Sequence, residues 1–400
     1  MIRILLPLLV PTTLLIAAAV LHPELAKPAL ANSYITPFLP LLIGLPALML
    51  CLRFNRSRYF FSLLSILIAY SLIYWVFPKI NTGLSQISYQ YLSLLLPFNL
   101  LFFSVIRERG MLTLSGSSRF IILIAQGVIV FSLHHFYPSL LTTGITFNIF
   151  NIEVHRWTAI PQLALLSGLL VALILNGRLF AAPSTPNAVS FAALICSLVM
   201  LQFYLDQSLV ISFATAASLM FTIAIIQESH RMAYIDQLTL LPGRRALNEQ
   251  MLKLGKQYTI AMVDIDKFKK FNDKYGHDIG DQVLRMVAAK LAQTGASGKA
   301  FRYGGEEFCI LFSGKDIKTV TPSLEALREA VATSRFDLRK QNRRQTDSKR
   351  KTKAKNTVQV TISIGVAQRN EKLNTTQSVL KAADKALYRA KQKGRNRISK

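Results

Sequence analysis

The sequence predicts two structural parts, an N-terminal all-α membrane bundle of about eight spans and a C-terminal α/β domain. Three observations predict this fold class. Long apolar runs recur up to Gln227. The same region holds only 11 of the 47 Lys and Arg residues and 4 of the 21 Asp and Glu residues, so charge is concentrated in the remainder. In that remainder, two short β-prone runs flank a Gly-Gly pair, a pattern typical of a β-hairpin.

The apolar runs are long enough for membrane helices, which need about 20 apolar residues to cross a bilayer. Several contain Pro or Gly, which membrane helices tolerate when neighbouring groups satisfy the freed backbone. The runs are Ile2 to Leu21, Tyr34 to Leu52, Tyr59 to Phe77, Tyr89 to Ile106, Phe120 to Phe136, Ile160 to Leu175, Ala188 to Tyr204 and Leu209 to Gln227.

The basic residues between these runs predict the orientation. With a cytoplasmic N-terminus, eight Lys and Arg residues fall in inner loops and three in outer loops, in agreement with the positive-inside rule. An even number of spans returns the chain to the cytoplasm, so the N-terminus and the C-terminal domain are both expected there. Alternatively, Ile2 to Leu21 is a cleaved signal peptide and seven spans remain.

The outer loops are short except for Tyr137 to Thr158, so no sizeable extracellular sensor domain is expected. His134, His135, Glu153 and His155, near the predicted outer face, are candidates for binding a metal or responding to pH. Histidines that simply face water are the commoner alternative. The spans carry no clearly mid-membrane ionisable residue, which argues against an ion-translocating transporter.

Two acidic residues follow the Gly-Gly pair directly, in the order Gly304, Gly305, Glu306 and Glu307. Adjacent carboxylates at the tip of a tight turn repel each other unless a positive charge lies against them. Glycine has no side chain, so a large ligand can lie directly on the backbone. This pattern favours a metal ion together with a nucleotide.

A second acidic cluster ends the apolar run from Tyr258 to Ile265, which predicts a buried strand with Asp264 and Asp266 at its end. Taken alone, this Asp-x-Asp is typical of a solvated strand end. Together with the Gly-Gly-Glu-Glu turn it favours Mg²⁺, which accepts carboxylate oxygens alongside substrate phosphates. Two such ions can activate an attacking hydroxyl and stabilise the leaving oxygen of a phosphoryl transfer.

From Asp236 to Lys400 the chain resembles the GGDEF-domain diguanylate cyclases, which condense two GTP into cyclic di-GMP and two pyrophosphate. The resemblance rests on ordered motifs around the Gly-Gly turn. They are Asp236 to Arg245, Asp264 to Lys269, Asn272 to Asp281, Thr361 to Val366 and Tyr388 to Asn396. It implies an antiparallel-rich sheet flanked by helices, similar to the palm of nucleotide cyclases and polymerases.

The resemblance also implies a catalytic centre. Asp264, Glu306 and the backbone carbonyl of Ile265 would bind a first Mg²⁺ or Mn²⁺ ion. Glu307 would help to bind a second, giving two ions per active half-site. Glu306 would assist deprotonation of the attacking 3′-hydroxyl, and it is a carboxylate although the family name has Asp at this place.

Phosphate contacts follow from the same resemblance. Lys269 and the backbone of Lys267 and Phe268 would meet the β- and γ-phosphates of GTP. Lys391 and Arg395 are four residues apart on a predicted helix, so both cations would face one side and neutralise the triphosphate. Ordinary solvated helix surface is the alternative for this pair.

Guanine selection is assigned to Asn272 and Asp281. A carboxylate can accept hydrogen bonds from the N1–H and the 2-amino group of guanine, a donor pair that adenine lacks. His277 either packs near the base or stabilises the turn.

Two segments depart from the family pattern. Many members carry an inhibitory Arg-x-x-Asp pair before the glycine turn, where this chain has the uncharged stretch Gly295 to Gly298, so no product inhibition is expected through that site. The other segment is a basic insertion, residues 335–355, which follows a predicted helix from Pro322 to Ser334 and holds ten cations and two acids. It predicts contact with anionic lipid headgroups, and a solvated loop is the alternative. No nucleic acid partner is expected, because aromatic stacking platforms do not interleave the cations.

Together these features predict a membrane-bound diguanylate cyclase of the bacterial inner membrane. Residues 1–227 form the sensory region, 228–240 a connecting helix and turn, and 241–400 the cyclase domain. Because each domain holds one GTP, two must face each other, which predicts a homodimer through the catalytic and membrane regions. No Pro or Gly interrupts Leu209 to Tyr234, so a continuous helix is expected. The alternative is a catalytically silent domain that binds GTP or a protein partner.

Overall fold

A computed structural model gives the chain as two compact units, Met1–Ser229 and His230–Lys400. Each unit has its own hydrophobic core. The residues that the structure describes are 2–31, 33–79, 82–111, 113–136, 149–150, 157–337 and 357–400.

The N-terminal unit is helical. Its helices are α1 (Ile2–Leu25), α2 (Pro28–Ala31), α3 (Leu39–Arg53), α4 (Ser57–Ser71), α5 (Thr82–Val105), α6 (Leu114–Phe136), α7 (Gln162–Ala181), α8 (Thr185–Gln202) and α9 (Gln207–Tyr234). A π-helical turn, Leu72–Val76, follows α4 directly. The sequence correctly predicted that α9 is uninterrupted, and this helix ends beyond the boundary of the N-terminal unit.

Within the described part of the chain, eight helical segments are long and apolar enough to cross a membrane, judged by length and composition. This is the number that the sequence predicted. The interior of the bundle is closely packed: Phe61 and Phe103 are completely buried and stack with ring centres 5.1 Å apart. Long apolar side chains such as Met49 and Ile124 remain exposed on the outside.

Polar contacts tie the connection between α3 and α4 to other helices. Arg56 donates a hydrogen bond to Glu228 of α9 at 3.2 Å, within the N-terminal unit. The backbone N–H and the hydroxyl of Ser57 donate to Glu108, which follows α5, at 3.0 and 2.9 Å. The start of α4 is therefore fastened both to α9 and to the segment after α5.

The C-terminal unit contains a five-stranded sheet flanked by helices. The helices are α10 (Arg244–Leu252), α11 (Phe268–Tyr275), α12 (His277–Leu291), α13 (Ile317–Ala332) and α14 (Thr376–Gln392). The strands are β1 (Tyr258–Ile265), β2 (Lys299–Arg302), β3 (Glu307–Ser313), β4 (Phe336–Asp337), β5 (Thr357–Val358), β6 (Ile362–Gln368) and β7 (Ile398–Ser399). The sheet order is β2-β3-β1-β6-β7, and β4 and β5 pair separately.

The central strand β1 has all eight residues buried, because its neighbours and the helices on both faces cover it. It pairs antiparallel with β3 and β6, and only β6 and β7 are parallel among the described pairs of this sheet. The predicted strand, the predicted hairpin and the antiparallel-rich sheet are confirmed. At Gly365 of β6 a Cβ would come within 2.0 Å of the Leu387 backbone nitrogen, so α14 packs directly on the sheet there.

The prediction for the helix before the basic insertion was wrong at its start. The sequence predicted a helix from Pro322 to Ser334, whereas α13 begins at Ile317. The reason is an N-cap: the Asp316 carboxylate accepts a hydrogen bond from the Thr319 backbone N–H at 2.9 Å.

Several predicted features lie outside the described residues. They include most of the basic insertion, at 338–356, and both Glu153 and His155 of the long outer loop. The His135 ring is described and stacks against Phe131, with ring centres 6.4 Å apart. The sensing role predicted for this group stays a prediction.

Candidate active site

The register between β1 and β3 brings the two acidic clusters together. Asp264 lies directly opposite Glu307 in this antiparallel pair. The intervening turn is held by backbone hydrogen bonds from Tyr303 N–H and Gly304 N–H to the Glu307 carbonyl, at 2.9 and 3.2 Å. Glu306 and Glu307 thus lie at the carboxyl end of β1, as predicted for a shared site.

The two glycines of the turn leave its outer surface open. A Cβ added to Gly305 would meet no atom within 4 Å, and one added to Gly304 would lie 3.1 Å from a Glu307 carboxylate oxygen. The backbone of Gly305 is therefore accessible for close approach by a ligand.

Asp264 is only 3% exposed and pairs with Lys391, whose ammonium lies 2.8 Å from Oδ2. Burial raises the pKa of the Asp264 carboxyl, and Glu307 and Asp266 add to this effect, while Lys391 opposes it. Burial also raises the pKa of the Glu306 carboxyl. The charges of Asp264 and Glu307 add to this effect, and Lys391 opposes it. One lysine therefore does not offset the negative charge of this site.

The excess negative charge and the oxygen donors fit a divalent cation such as Mg²⁺. In the described part of the chain, no three His, Cys, Asp or Glu side chains converge around one point as a preformed metal site. Lys391 instead supplies the positive charge beside Asp264. The donor chemistry thus fits a metal, with the Asp264 carboxylate held by the lysine.

Asp266, the second acid of the Asp-x-Asp run, forms hydrogen bonds within the protein. Its Oδ1 accepts a hydrogen bond from Ser363 Oγ at 2.6 Å. Its Oδ2 accepts from Thr361 Oγ1 at 2.7 Å and from the Asn396 backbone N–H at 3.0 Å. These bonds fix the turn after α14 beside β1 and β6, so Asp266 is engaged by the protein itself.

The segment predicted to meet phosphate forms the start of α11. Lys267 adopts a left-handed conformation, with φ +57°, and the helix begins at the next residue. The side chain of Phe268 is buried in the core, so only its backbone is available to a ligand, as the sequence suggested. Lys269 is exposed beside it, and the first N–H groups of a helix favour an anion.

The predicted guanine segment contains an unsatisfied buried acceptor. Asn272 Oδ1 is buried and has no hydrogen-bond partner among the described residues. A Cβ at Gly280 would lie 1.9 Å from this oxygen, so glycine is required to leave the amide in place. Asp281 is half-buried in α12, and His277 is exposed at the start of that helix. A buried acceptor without a donor is costly and is often explained by a ligand.

The prediction for Arg395 was wrong in one respect. Helix α14 ends at Gln392, and Arg395 has φ +65° after Gly394 with φ +104°. Arg395 therefore lies beyond the helix, and it does not share a helix face with Lys391. The left-handed turn at Gly394, which ends the helix, is the physical reason.

Sequence reasoning assigned no role to the contact between Asp236 and Arg302. The Arg302 guanidinium donates to Asp236 Oδ1 at 2.7 Å and to the Gly304 and Gly305 carbonyls at 3.2 and 2.8 Å. Although burial opposes the effect, hydrogen bonds from Thr239 and Arg302 lower the pKa of Asp236. The Asp-x-x-Thr spacing was the available signal, since it is typical of a side-chain-capped turn.

Comparison with known proteins finds a family that this unit resembles. Residues 233–397 match the family model described as diguanylate cyclase, GGDEF domain. The response regulator PleD of Caulobacter vibrioides is 35% identical over 181 residues, which cover 43% of this chain and 37% of PleD. Diguanylate cyclase VdcA of Vibrio cholerae is 35% identical over 170 residues, which cover 42% of this chain and 46% of VdcA.

Among solved structures, the coiled coil and GGDEF domain of DgcB from Caulobacter crescentus, in complex with c-di-GMP, is 32% identical. The match has a TM-score of 0.39 and covers 44% of this chain and 88% of the DgcB chain. The chain spans less than half the length of the two curated relatives named above. The C-terminal unit therefore resembles the GGDEF domain of diguanylate cyclases.

Proposed function

We propose that this protein is a membrane-bound diguanylate cyclase that condenses two GTP into cyclic di-GMP and two pyrophosphate. The observation that carries the proposal is the group formed by Asp264, Glu306, Glu307 and Lys391 beside the accessible backbone of Gly305. One buried and two half-buried carboxylates next to one lysine and a bare glycine turn suit a nucleoside triphosphate with its divalent ion.

The residues that would hold Mg²⁺ or Mn²⁺ are Asp264, Glu306, Glu307 and the Ile265 carbonyl. The bound ions supply charge neutralisation at the phosphates during the displacement. Glu306 takes the proton of the attacking hydroxyl as a general base. Lys391, whose ammonium lies beside Asp264, would contribute positive charge to the triphosphate.

Base selection rests on Asn272 and Asp281. The buried Asn272 Oδ1 has no donor in the part of the chain that the structure describes, and the N–H groups of a guanine edge provide one. Adenine lacks the N1–H and 2-amino donors that guanine offers to Asp281. It would therefore leave both acceptors unsatisfied. Lys269 and the first N–H groups of α11 bind the distal phosphates.

The proposed setting is the bacterial inner membrane, with the N-terminus and the GGDEF domain in the cytoplasm. The eight apolar helices and the excess of basic residues in the inner loops support this orientation. Two catalytic domains face each other in a homodimer, because both phosphodiester bonds need two bound GTP molecules. The uninterrupted α9 connects the membrane region to this domain and transmits its state.

GTP turnover by the full chain in lipid nanodiscs with Mg²⁺ tests the proposal, with products separated by chromatography. We expect cyclic di-GMP and pyrophosphate from the wild type and neither from Glu306→Ala. Glu329→Ala, an exposed carboxylate on α13, is the matched control and should keep full activity. GTP binding without product in every variant would instead identify a silent binding module.

A further inference from the structure

The N-terminal unit contains a cavity of about 540 Å³ beside the start of α9. Its walls come from the π-helical turn after α4 with the residues that follow it, the start of α5, the connection between α8 and α9, and the first turn of α9. The lining residues that matter here are aromatic or uncharged polar, namely Tyr74, Phe77, Ser85, Gln86, Tyr204 and Gln207. The volume is in the range of cavities that bind small molecules.

Four of the polar side chains that line this cavity are available to a ligand. The hydroxyls of Tyr74 and Tyr204 and the amides of Gln86 and Gln207 make no hydrogen bond to another described residue. By contrast, the neighbouring Tyr89 hydroxyl donates to the Leu201 carbonyl at 2.7 Å. None of the described lining residues is charged, so the cavity suits an uncharged molecule that exchanges hydrogen bonds.

The aromatic walls are held in place by stacking. Tyr204 stacks on Tyr89 with ring centres 4.2 Å apart. Tyr74 lies 5.7 Å from Tyr70 and 4.8 Å from Trp75, measured between ring centres. The π-helical turn Leu72–Val76 carries Tyr74 and Trp75, and such turns recur at functional sites. Preformed flat walls favour a planar ring as ligand.

A second cavity of about 550 Å³ shares Tyr74, Leu205 and Gln207 with the first. It extends to Asp206, whose carboxylate caps α9 by accepting from the Ser208 and Leu209 N–H groups at 3.0 and 3.2 Å. A ligand bound at Gln207 therefore contacts the first turn of the helix that ends at Tyr234.

We propose that this cavity binds an uncharged planar ring compound with carbonyl or hydroxyl substituents, of the class of membrane-soluble quinones. The Gln86 and Gln207 amides donate hydrogen bonds to its oxygens, and the rings of Tyr74 and Tyr204 contact its faces. Occupancy changes the contacts of the first turn of α9 and so acts on the output helix.

The test uses the fluorescence of Trp75, which adjoins Tyr74. Only two tryptophans are present, so Trp157→Phe leaves Trp75 as the sole reporter in the full chain. The probe is dimethylnaphthoquinone, whose ring is blocked against addition of thiols, and dimethylnaphthalene is the matched ring without oxygens. Both are titrated into the chain in nanodiscs of neutral lipid.

We expect saturable quenching by the quinone, and a dissociation constant raised about three- to tenfold by Gln86→Leu or Gln207→Leu. Tyr204→Phe keeps the stacked ring and removes only the hydroxyl, so it should raise the dissociation constant by less. Gln90→Leu, on the same helix as Gln86 but outside the cavity, should leave the constant unchanged. Quenching that does not saturate would overturn the proposal, as would equal binding in every variant or competition by dimethylnaphthalene at the same concentration.

Discussion

The guanidinium of Arg302 joins the glycine turn to the segment that follows α9, through a 2.7 Å ion pair with Asp236. The same side chain donates to the carbonyls of Gly304 and Gly305 at 3.2 and 2.8 Å. Both partners are mostly buried, so this pair is not weakened by solvent as an exposed ion pair is. The segment around Asp236 and the glycine turn are therefore linked through one side chain.

Replacing Arg302 by lysine tests this connection. Lysine keeps the charge but cannot contact Asp236 and two carbonyls together, because it lacks the planar fork of donors. We expect kcat for GTP to fall about tenfold or more while KM changes little, since the turn positions Glu306 rather than binding the base. A larger change in KM than in kcat would contradict this positioning role. Arg328→Lys, an ion-paired arginine of α13, is the control.

Replacing Glu306 by glutamine should stabilise the metal-free GGDEF domain at neutral pH. Because the folded pKa of Glu306 is raised, the native state binds more protons than the unfolded state between the two pKa values. The free energy of unfolding therefore falls as pH rises through that window, and it stays reduced above the folded pKa. The substitution to glutamine removes this loss of stability at pH 7. It has no effect on stability at pH values below the unfolded pKa.

Alkylation of Cys309 measures this effect within the domain. Its thiol is completely buried in β3, and burial raises its pKa, so it reacts only when the domain opens. With Cys51 and Cys196 replaced by alanine, we expect slower labelling of Glu306→Gln than of the unsubstituted Glu306 protein at pH 7 without metal. Equal rates at pH 7, or an effect that persists unchanged at acid pH, would refute the electrostatic explanation.

Replacing Asn272 by leucine should separate stability from substrate binding. The substitution removes a buried acceptor without a partner among the described residues, which typically costs about 1–3 kcal/mol. Cys309 of this variant should therefore be labelled no faster than Cys309 of the wild type, while KM for GTP rises about tenfold or more. Gly280→Ala should raise KM similarly, because its Cβ would lie 1.9 Å from the Asn272 oxygen. Unchanged KM in both variants would exclude Asn272 from base binding.

Much of the catalytic domain could be predicted from the sequence, because its signals are local. The apolar run of β1, the Gly-Gly turn and the acids at each end define strand, hairpin and site within short stretches. The eight apolar helices were likewise visible from run length alone.

What could not be predicted depends on contacts distant in sequence or on backbone conformation. The roles of Asp266 and Arg302 arise from partners 130 and 66 residues away. The end of α14 before Arg395 depends on left-handed residues that a charge pattern does not reveal. The cavity beside α9 requires three separate helix ends to meet, which the apolar runs do not specify.

The ion pair between Arg56 and Glu228 should contribute to control of the cyclase. Both side chains are at most 20% exposed, and Glu228 lies on α9 shortly before the boundary of the N-terminal unit. We expect Arg56→Glu and Glu228→Arg each to change GTP turnover several-fold, and the exchanged pair to recover much of the wild-type rate. A coupling energy between about 0.5 and 3 kcal/mol is typical of contacting residues. Additive effects of the two substitutions would show that the pair does not act as a unit.

The uncharged stretch from Gly295 to Gly298 predicts that cyclic di-GMP inhibits only by occupying the active site. Ala296 and Ser297 have left-handed φ values of +55° and +58°, and a Cβ at Gly298 would lie 2.6 Å from the Phe312 ring. An acidic side chain at position 298 would therefore fit only if Phe312 were displaced. Initial rates with added cyclic di-GMP should show purely competitive inhibition against GTP. Gly295→Arg combined with Gly298→Asp should gain no further inhibition and should speed alkylation of Cys309. Inhibition of the wild type that persists at saturating GTP would contradict this prediction, because it requires a second binding site.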